Sequence, residues 1–592
     1  MSFSRSGGLL GRKYNEYLFP AILSALSVLL SSFVDGIIVS WLIGEDAFSA
    51  VNLSEPVILF MQAIFFLLGV GGCICISIAR GQRDERKANV LYTISFFGSI
   101  AVSLVVTVVG ALCVNPITSL LCNEPKLFDA VKSYVLINIL GSFFLIFVPY
   151  LVFIIRVESM PKLSANILLI SNAVNLIMDL VYMGLLKMDI KGAALATVTG
   201  YVAGFLIEIY FLFIRKKNTL KLVRPLRREI RYLGEICTSS MASVLNTILL
   251  FVKAILINRI VIETGGQNAI AVFSVCNFTL IFVSMFVTGG CDTMTPIVSL
   301  LYGEKDYKGI DFVLRKTLLF EAISCSAIIV VICIFPELLM GLFSIKTAEC
   351  LEIGIPAVRI FALSFPVMGI CTAFMNYLQA TKHKVLSLLI PFLRGLIITV
   401  PLAYGLSKAW GLTGIWWSFV LAELLTGIII FIICFILAGV RSDIYSGVLL
   451  HERQKELSAL YDVSLTPGDR QAVEISKELI DFCLNNGADG DYANRIGVLA
   501  EEMVENIHRF NTGGKRQPQV DLICRITCDE ILLSLRDNGE AFDAAIVDED
   551  CDDLSSLKVI HDVADEVSFT RTLGMNNVLV VCRPGREKLI QT

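Results

Sequence analysis

The sequence predicts an all-α polytopic membrane protein with twelve transmembrane helices in two six-helix lobes, followed by a small soluble α+β domain. Three observations predict this fold class: the apolar composition, an internal repeat in the first 440 residues, and the loss of apolar stretches after them. The 592-residue chain is 55% hydrophobic and 17% charged, whereas soluble domains are about 25% charged. Most of the chain is therefore expected to lie in a lipid bilayer.

Twelve apolar stretches of the sequence are long enough to cross a bilayer, because a span needs roughly 20 residues. The first stretch follows Arg5, Arg12 and Lys13 without a clear cleavage site, which favours a first spanning helix over a removed signal peptide. The stretches lie near residues 17–43, 53–79, 90–113, 130–155, 163–186, 192–214, 233–262, 270–301, 313–336, 354–380, 385–408 and 413–438.

The loops between these stretches alternate in charge, and this alternation predicts the topology. One set is basic or mixed, and the other set is poor in Lys and Arg. By the positive-inside rule the first set is cytoplasmic, so both termini are expected to be cytoplasmic in a multi-pass protein of the inner (cytoplasmic) membrane. The basic set includes 80–87, 214–231, 303–308 and 380–384, and the other set includes 43–50 and 264–269.

An internal repeat divides the membrane part into two halves of the same predicted topology. The segment Gly81–Asp84 reappears as Gly303–Asp306, at an offset of 222 residues (303 − 81). The same offset aligns Lys162 with Lys384, Tyr182 with Tyr404 and Gly192 with Gly414. Parallel repeats suit alternating-access transporters. We therefore predict an N-lobe over 11–222, a C-lobe over 223–440, a linker over 441–449 and a cytoplasmic domain over 450–592.

The composition changes near residue 440, where the soluble domain is predicted to begin. The segment 451–487 is typical of a strand followed by an amphipathic helix, and 493–510 is typical of a second helix. The alternating segment 520–539 indicates a hairpin of two strands around a turn at Asp529.

Cysteine spacing and phosphate-loop motifs exclude some functional classes. The closest cysteine pairs, Cys73/Cys75 and Cys524/Cys528, lack zinc-ligand spacing. The chain has no G-x-x-x-x-G-K-[ST] loop, so transport driven directly by ATP hydrolysis is not expected. We expect neither catalytic residues in the membrane part nor a nucleic-acid partner.

Two acidic residues within apolar stretches are the first candidate site. Asp35 lies in the first stretch, Asn175 and Asp179 lie in the fifth, and Thr197 begins the sixth. At 1.5 Å per residue, Asp35, Asp179 and Thr197 are expected at one depth, about 8–12 Å below the outer surface. These all-oxygen groups suit a proton or a hard cation such as Na+. The alternative is that they form structural hydrogen bonds between helices.

The second half does not repeat this cluster but has charges of its own. Lys253, Arg394 and Glu423 are candidates for a substrate cavity, because Lys253 and Glu423 are each about ten residues from an outer helix end. The alternative is that Lys253 snorkels or forms a structural pair.

The first 440 residues resemble the multidrug and toxic compound extrusion (MATE) transporters. The segment 19–56 is similar to that family's first helix and outer loop, and the repeated loops and the NLIMD…KGAALAT pattern agree. The resemblance implies export of small organic cations or drugs, driven by Na+ or H+ bound at an N-lobe site. Its residues here are Asp35, Asn175, Asp179 and Thr197.

The tail resembles the GHKL ATPase domains of anti-sigma-factor kinases and sensor histidine kinases, which have the Bergerat fold. Glu502 and Asn506 match the E-x-x-x-N motif, and Asp537 and Gly539 match the D-x-G motif. The resemblance implies an ATP/Mg²⁺ site in which Asn506 holds Mg²⁺ and Asp537 accepts the adenine amino group. The family's second glycine motif is poor here, since LSSLKVIHD (554–562) stands in its place. The alternative is a degenerate domain used for contacts.

These features together predict a secondary antiporter with a cytoplasmic, nucleotide-binding-like regulatory domain that a cytoplasmic protein could contact. Two alternatives stay open. One is a flippase for lipid-linked precursors from the same superfamily, which the basic residues of the second half favour. The other is a membrane-tethered ATP-binding kinase or sensor whose tail holds the activity.

Overall fold

The computed structural model describes residues 5–122, 124–214, 219–342, 348–454, 457–511, 517–540 and 555–583. The chain forms two compact units. One is Tyr14–Ile436, and the other combines Met1–Lys13 with Leu437–Thr592.

The unit that contains Tyr14–Ile436 is helical. Its long apolar segments are rich in Leu, Ile, Val and Phe, and backbone groups in such segments must satisfy their hydrogen bonds internally, which helices do. Its helices are α1 (Gly8–Leu42), α2 (Glu45–Gly81), α3 (Glu85–Leu112), α4 (Val114–Leu121), α5 (Pro125–Leu140), α6 (Ser142–Val157), α7 (Pro161–Asp179), α8 (Asp189–Ile209), α9 (Tyr232–Gly303), α10 (Tyr307–Ile334), α11 (Pro336–Leu342), α12 (Ala348–Ala362), α13 (Phe365–Ala380), α14 (Lys384–Phe392) and α15 (Thr399–Val440).

Four short segments of this unit depart from α-helical geometry. Three are π-helical: Leu180–Leu185 directly after α7, Tyr210–Ile214 after α8, and Leu393–Ile397 after α14. Arg227–Arg231 before α9 is a 3₁₀ turn. Single π turns inside helices are frequent at functional sites, and two of these three adjoin candidate residues, Asp179 and Arg394.

Within the described ranges, nine helical segments are long and apolar enough to span a membrane, or ten when the bent pair α5 and α6 counts as one span. The segments Arg227–Gly303 and Lys384–Val440 have 77 and 57 residues. At 1.5 Å per residue both are much longer than a hydrocarbon core of about 30 Å.

Each of the two longest helices is interrupted by a glycine with non-helical backbone angles. Gly266 in α9 has φ 66° and ψ −155°, and Gly411 in α15 has φ 61° and ψ −140°. Only glycine adopts this region without strain, because it has no Cβ. The chain therefore turns at these two positions.

The internal repeat is present in the backbone as well as in the sequence. Arg83 and Lys305 are 222 residues apart, and both are left-handed, with φ values of 60° and 57°. The residues that follow, Asp84 and Asp306, cap the next helix in the same way, accepting hydrogen bonds of 2.9 Å from the N–H groups of Lys87 and Gly309.

The two halves contact each other through equivalent residues at this position. A Cβ on Gly81 would overlap the carbonyl of Leu300, and a Cβ on Gly303 would overlap the carbonyl of Ile78, which is the equivalent contact at the 222-residue offset. Each of these Cβ positions is also 2.9 Å from the Cα of the other glycine. Reciprocal contacts of this kind mark a pseudo-twofold axis between the ends of α2 and α9.

The second unit contains a five-stranded antiparallel sheet in the order β3-β4-β5-β7-β6. The predicted strand, two helices and hairpin are present as β3, α16, α17 and β4–β5, and the helices pack on the sheet through one apolar core. The elements are β1 (Tyr445–Ser446), β2 (His451–Glu452), β3 (Leu457–Leu465), α16 (Asp469–Asn485), α17 (Gly490–Phe510), β4 (Val520–Thr527), β5 (Ile531–Asp537), α18 (Ser555–Val563), β6 (Glu566–Thr572) and β7 (Met575–Cys582).

We expect Gly411→Ala to destabilise the C-lobe by about 1–3 kcal/mol, because alanine is strained at this φ and ψ. The matched control is Gly405→Ala in the same helix, where no atom lies within 4 Å of the added Cβ. Thermal unfolding in detergent measures the difference. Equal melting temperatures for the two variants would show that the backbone conformation at position 411 does not require glycine.

Candidate functional site

The four predicted N-lobe residues meet where α1, α7 and α8 pack together. Asp179, the last residue of α7, is 1% exposed, and Asp35 of α1 is half-buried. The Asp35 and Asp179 carboxyl groups lie close enough to interact. Because a carboxylate only accepts hydrogen bonds, a direct hydrogen bond between the two groups requires a proton on one of them.

The amide of Asn175 connects all three helices. Oriented to satisfy its neighbours, its nitrogen donates to both carboxylate oxygens of Asp35 at 3.1 Å and to the hydroxyl of Ser31 at 2.7 Å. Its oxygen accepts a hydrogen bond of 3.2 Å from the backbone N–H of Thr197. The arrangement supplies carboxylate, amide and hydroxyl oxygens, which suit a proton or a hard monovalent cation.

Sequence reasoning missed three polar residues that extend this cluster between α1 and α7. Asn172 donates a hydrogen bond of 2.8 Å to the hydroxyl of Ser27, one turn below the Ser31–Asn175 contact. Ser27, Ser31 and Asp35 are spaced by four residues and share one helix face. That spacing was the available signal.

Small residues on α8 bring that helix close to α7. A Cβ on Gly200 would lie 2.5 Å from the carbonyl oxygen of Ser171 and 2.9 Å from the Cβ of Asn175. A Cβ on Gly204 would overlap the Ser171 hydroxyl. Glycines four residues apart allow such close helix packing in membranes, and this packing places the Thr197 backbone within reach of Asn175.

The three C-lobe candidates also come together, but as a buried ionic cluster. Arg394 pairs with Glu423 at 3.0 Å, and its guanidinium donates to the Thr372 hydroxyl at 2.6 Å. The ammonium of Lys253 lies over the Phe419 ring, 5.6 Å from its centroid. Arg394 and Glu423 expose only 4% and 9% of their side chains, so their pairing compensates buried charge.

A cavity of about 110 Å³ lies between the two lobes and is lined by residues from both. Lys253, Arg394 and Glu423 are not part of its described lining, but Thr372, which Arg394 contacts, is. The lining also includes the aromatic rings of Phe66 and Phe153.

One ion pair crosses this cavity from lobe to lobe. Arg156 of α6 donates to Asp292 of α9 at 2.6 Å, and its guanidinium lies 5.2 Å from the Phe153 ring centroid. Asp292 retains 22% exposure of its side chain, against 6% for Arg156. The cavity wall therefore combines aromatic faces with a partly accessible carboxylate.

The predicted nucleotide residues lie at one end of the tail sheet, at the end of β5 and on α17. The N–H of Gly539 donates to Asp537 at 2.7 Å, and the Asn576 amide donates to the same oxygen at 3.0 Å. The turn that follows β5 contacts α17 at Asn511, which accepts from the N–H of Glu540 at 3.0 Å.

The carboxyl group of Asp537, the predicted adenine contact, already accepts internal hydrogen bonds. Asp537 is 3% exposed and one of its oxygens already has two internal donors. Burial raises the pKa of Asp537 to about 6, which makes it a weaker acceptor at acidic pH. Gly574 lies in the β6–β7 turn with a positive φ of 69°. Residue 554 of the predicted LSSLKVIHD segment lies outside the described residues, and the rest falls in α18.

Glu502 and Asn506 occupy one face of α17, one turn apart, and Asn506 is buried. Their roles in nucleotide and Mg²⁺ binding stay predictions. No group of three or more His, Cys, Asp or Glu side chains that could hold a metal ion occurs in the portion of the chain that the structure describes.

Comparisons with known proteins agree with the two-lobe geometry. The model of the MatE family matches twice, at residues 20–181 and 242–405. The two matches begin 222 residues apart (242 − 20), the offset of the internal repeat.

Curated relatives and solved structures cover the same part of the chain. The chain is 25% identical to a "Multidrug export protein MepA" of Staphylococcus haemolyticus over 69% of this chain and 89% of that protein. It is 26% identical to a protein of the same name in Staphylococcus aureus strain MRSA252, over 69% and 90% of the two chains. A solved structure of an outward-facing MATE family transporter superimposes on this chain with a TM-score of 0.69 and 20% sequence identity. The superposition covers 75% of this chain and 100% of the chain in that structure.

We expect Arg394→Met to destabilise the C-lobe by about 3–5 kcal/mol, because it leaves the Glu423 carboxylate buried without its cation. The double variant Arg394→Met/Glu423→Met should recover most of that loss, since it removes both charges. Thermal unfolding of both variants tests this double-mutant comparison. Additive losses in the double variant would contradict a direct pairing of the two side chains.

Proposed function

This chain belongs to the MatE family, and from that premise we propose that it is a secondary antiporter that exports small organic cations or drugs in exchange for H+ or Na+. The observation that carries the proposal is the proximity of Asp35 to Asp179, with the Asn175 amide positioned to donate to Asp35. An acidic pair in a membrane interior is costly to ionise and usually marks an ion pathway. The multidrug export proteins that resemble the chain support the choice of cargo.

The ion-coupling mechanism follows from the chemistry of the pair. When a proton or cation binds between Asp35 and Asp179, it removes their mutual repulsion. When it leaves, the two carboxylates repel, and the packing of α1 against α7 is weakened. Helix α1 also packs closely on α9 of the C-lobe, because a Cβ on Gly289 would lie 2.7 Å from the Ile22 side chain. A shift of α1 would therefore change the packing between the two lobes.

The cavity between the lobes supports a cationic cargo. Aromatic faces such as those of Phe66 and Phe153 attract organic cations. Asp292 supplies a carboxylate that Arg156 orients, and a cationic substrate would compete with Arg156 for it.

The topology that we propose has twelve spans. Separating α9 at Gly266 and α15 at Gly411 adds two spans to the ten that include the bent α5–α6 pair. An even number places both termini on one side, which the basic loops assign to the cytoplasm.

We expect Asp35→Asn and Asp179→Asn each to abolish ethidium efflux, because a neutral amide cannot exchange a proton or neutralise a cation. The matched control is Asp46→Asn, at an exposed position near the start of α2. Efflux from proteoliposomes under imposed pH or Na+ gradients also identifies the driving ion. Normal efflux by either site variant would contradict the proposal, and efflux of lipid-linked precursors instead of ethidium would favour the flippase.

We further propose that the tail is a regulatory domain that acts on the start of α1. The side chain of Arg5 pairs with Asp462 at 3.1 Å and with Asp521 at 3.6 Å. These carboxylates, on β3 and β4, are 2% and 1% exposed. The backbone N–H of Ser6 also donates to the Ser464 hydroxyl at 3.1 Å. The sheet thus holds the residues that precede α1.

This contact lies next to the predicted nucleotide motif. A Cβ on Gly8, the first residue of α1, would lie 3.0 Å from the Gln519 side chain, and the N–H of Gln519 donates to Asn538 at 2.8 Å. Asn538 is the central residue of the D-x-G motif. A ligand or cytoplasmic protein that moves this turn would therefore act on the helix that carries Asp35.

We expect Arg5→Gln to increase amide hydrogen exchange in residues 5–13 by about tenfold or more, because it leaves two buried carboxylates without their cation. The rate of ethidium efflux should change, while the Kd for ethidium binding to the protein stays the same. Arg12→Gln, at an exposed position, is the control. Unchanged exchange in Arg5→Gln would refute the contact, and unchanged efflux despite faster exchange would refute the regulation.

A further inference from the structure

Among the described residues of the C-lobe, a second acidic residue, Glu321, is buried without a hydrogen-bond partner. Glu321 of α10 is 0% exposed, and neither of its carboxyl oxygens has a hydrogen-bond partner among the described residues. An ionised carboxyl in this environment is strongly disfavoured. In this conformation the group therefore carries a proton.

Two glycines on neighbouring helices make the space for this carboxyl group. A Cβ on Gly290 of α9 would overlap Glu321 Oε1, and a Cβ on Gly369 of α13 would lie 3.4 Å from Oε2. Any larger residue at Gly290 would displace the acid. The Glu321 carboxyl group thus occupies space that side chains at Gly290 and Gly369 would otherwise fill.

The other neighbours of Glu321 decide which ion the position suits. The titratable groups that interact with it are Tyr14 of α1, Cys291 of α9 and Cys325 of α10, while α13 presents Gly369. Thiols and aromatic rings are poor ligands for a hard cation such as Na+. A proton needs only the carboxyl group itself, so the position suits a proton.

The position is also next to the central cavity. Cys291 lines that cavity, and the preceding residue, Gly290, contacts Glu321. One side of this helix segment therefore faces the cavity, and the other faces the acid. A cation bound at Asp292 would favour the ionised form of Glu321 through the intervening segment, because interactions in a low-dielectric interior are weakly screened.

We propose that Glu321 is a second proton-exchange site of the transporter, which releases its proton to water when a cationic substrate occupies the adjacent cavity and takes one up again when the substrate leaves. The O–H bond of the carboxyl breaks and the proton passes to a water molecule, so that charge entering the cavity is balanced by charge leaving. This inference rests on the proposed antiport. By linkage, substrate affinity must then fall as the pH falls.

The test counts protons released when the full-length protein in detergent binds ethidium in a weakly buffered, dye-containing solution. We expect Glu321→Gln to release about one proton fewer per bound ethidium than the wild type and to show a weaker dependence of Kd on pH. Glu352→Gln, an exposed carboxyl in the same lobe, should behave as the wild type. A wild-type proton count in folded Glu321→Gln would overturn the inference.

A second variant keeps the test decisive if Glu321→Gln does not fold. The double variant Asp35→Asn/Asp179→Asn leaves Glu321 intact and should still release about one proton on binding ethidium; no release would overturn the inference. Failure of the antiport proposal is distinguishable, because wild-type efflux would then respond to neither a pH gradient nor a Na+ gradient. Efflux driven by Na+ without proton release would overturn the inference about Glu321 and leave the antiport proposal standing.

Discussion

The contact between two carboxyl groups, Asp35 and Asp179, is the constraint on which the N-lobe depends. Two ionised acids close together in a membrane interior repel each other, and a shared proton or a bound cation lowers that cost. Several features surround the pair: Asn175 connects three helices, Gly200 allows α8 to approach α7 closely, and the π turn 180–185 begins directly after Asp179.

The two lobes share a backbone plan but differ in chemistry. Equivalent glycines at 81 and 303 meet at the pseudo-twofold axis, whereas the buried charges do not follow the repeat. The N-lobe places Asp35 close to Asp179, and the C-lobe pairs Arg394 with Glu423. Among the described residues, Glu321 of the C-lobe has no hydrogen-bond partner for its carboxyl group. The shared backbone plan and the unequal charges are compatible with the proposal that ion and cargo are handled in different lobes.

Several features followed from the sequence because they depend on local rules. Apolar length predicts spans, and the 222-residue offset predicts two similar halves. The four-residue spacing of Asn175 and Asp179 predicts one helix face. The tail strands and helices followed from alternation and amphipathic periodicity. The N-lobe cluster could be assembled from these rules because its members lie at one predicted depth.

Other features required the tertiary structure, because they depend on which helix faces approach and how closely. The sequence predicted Lys253, Arg394 and Glu423 only as candidates for a substrate cavity. Packing decided that Arg394 pairs with Glu423 outside the described cavity lining, while Arg156 and Asp292 form an ion pair within that lining. Composition and the 222-residue repeat, both read from the sequence, predicted a membrane-embedded part of two similar halves followed by a soluble tail. Side-chain packing decided which charges are paired, since pairing depends on distances of a few ångströms that no sequence spacing specifies.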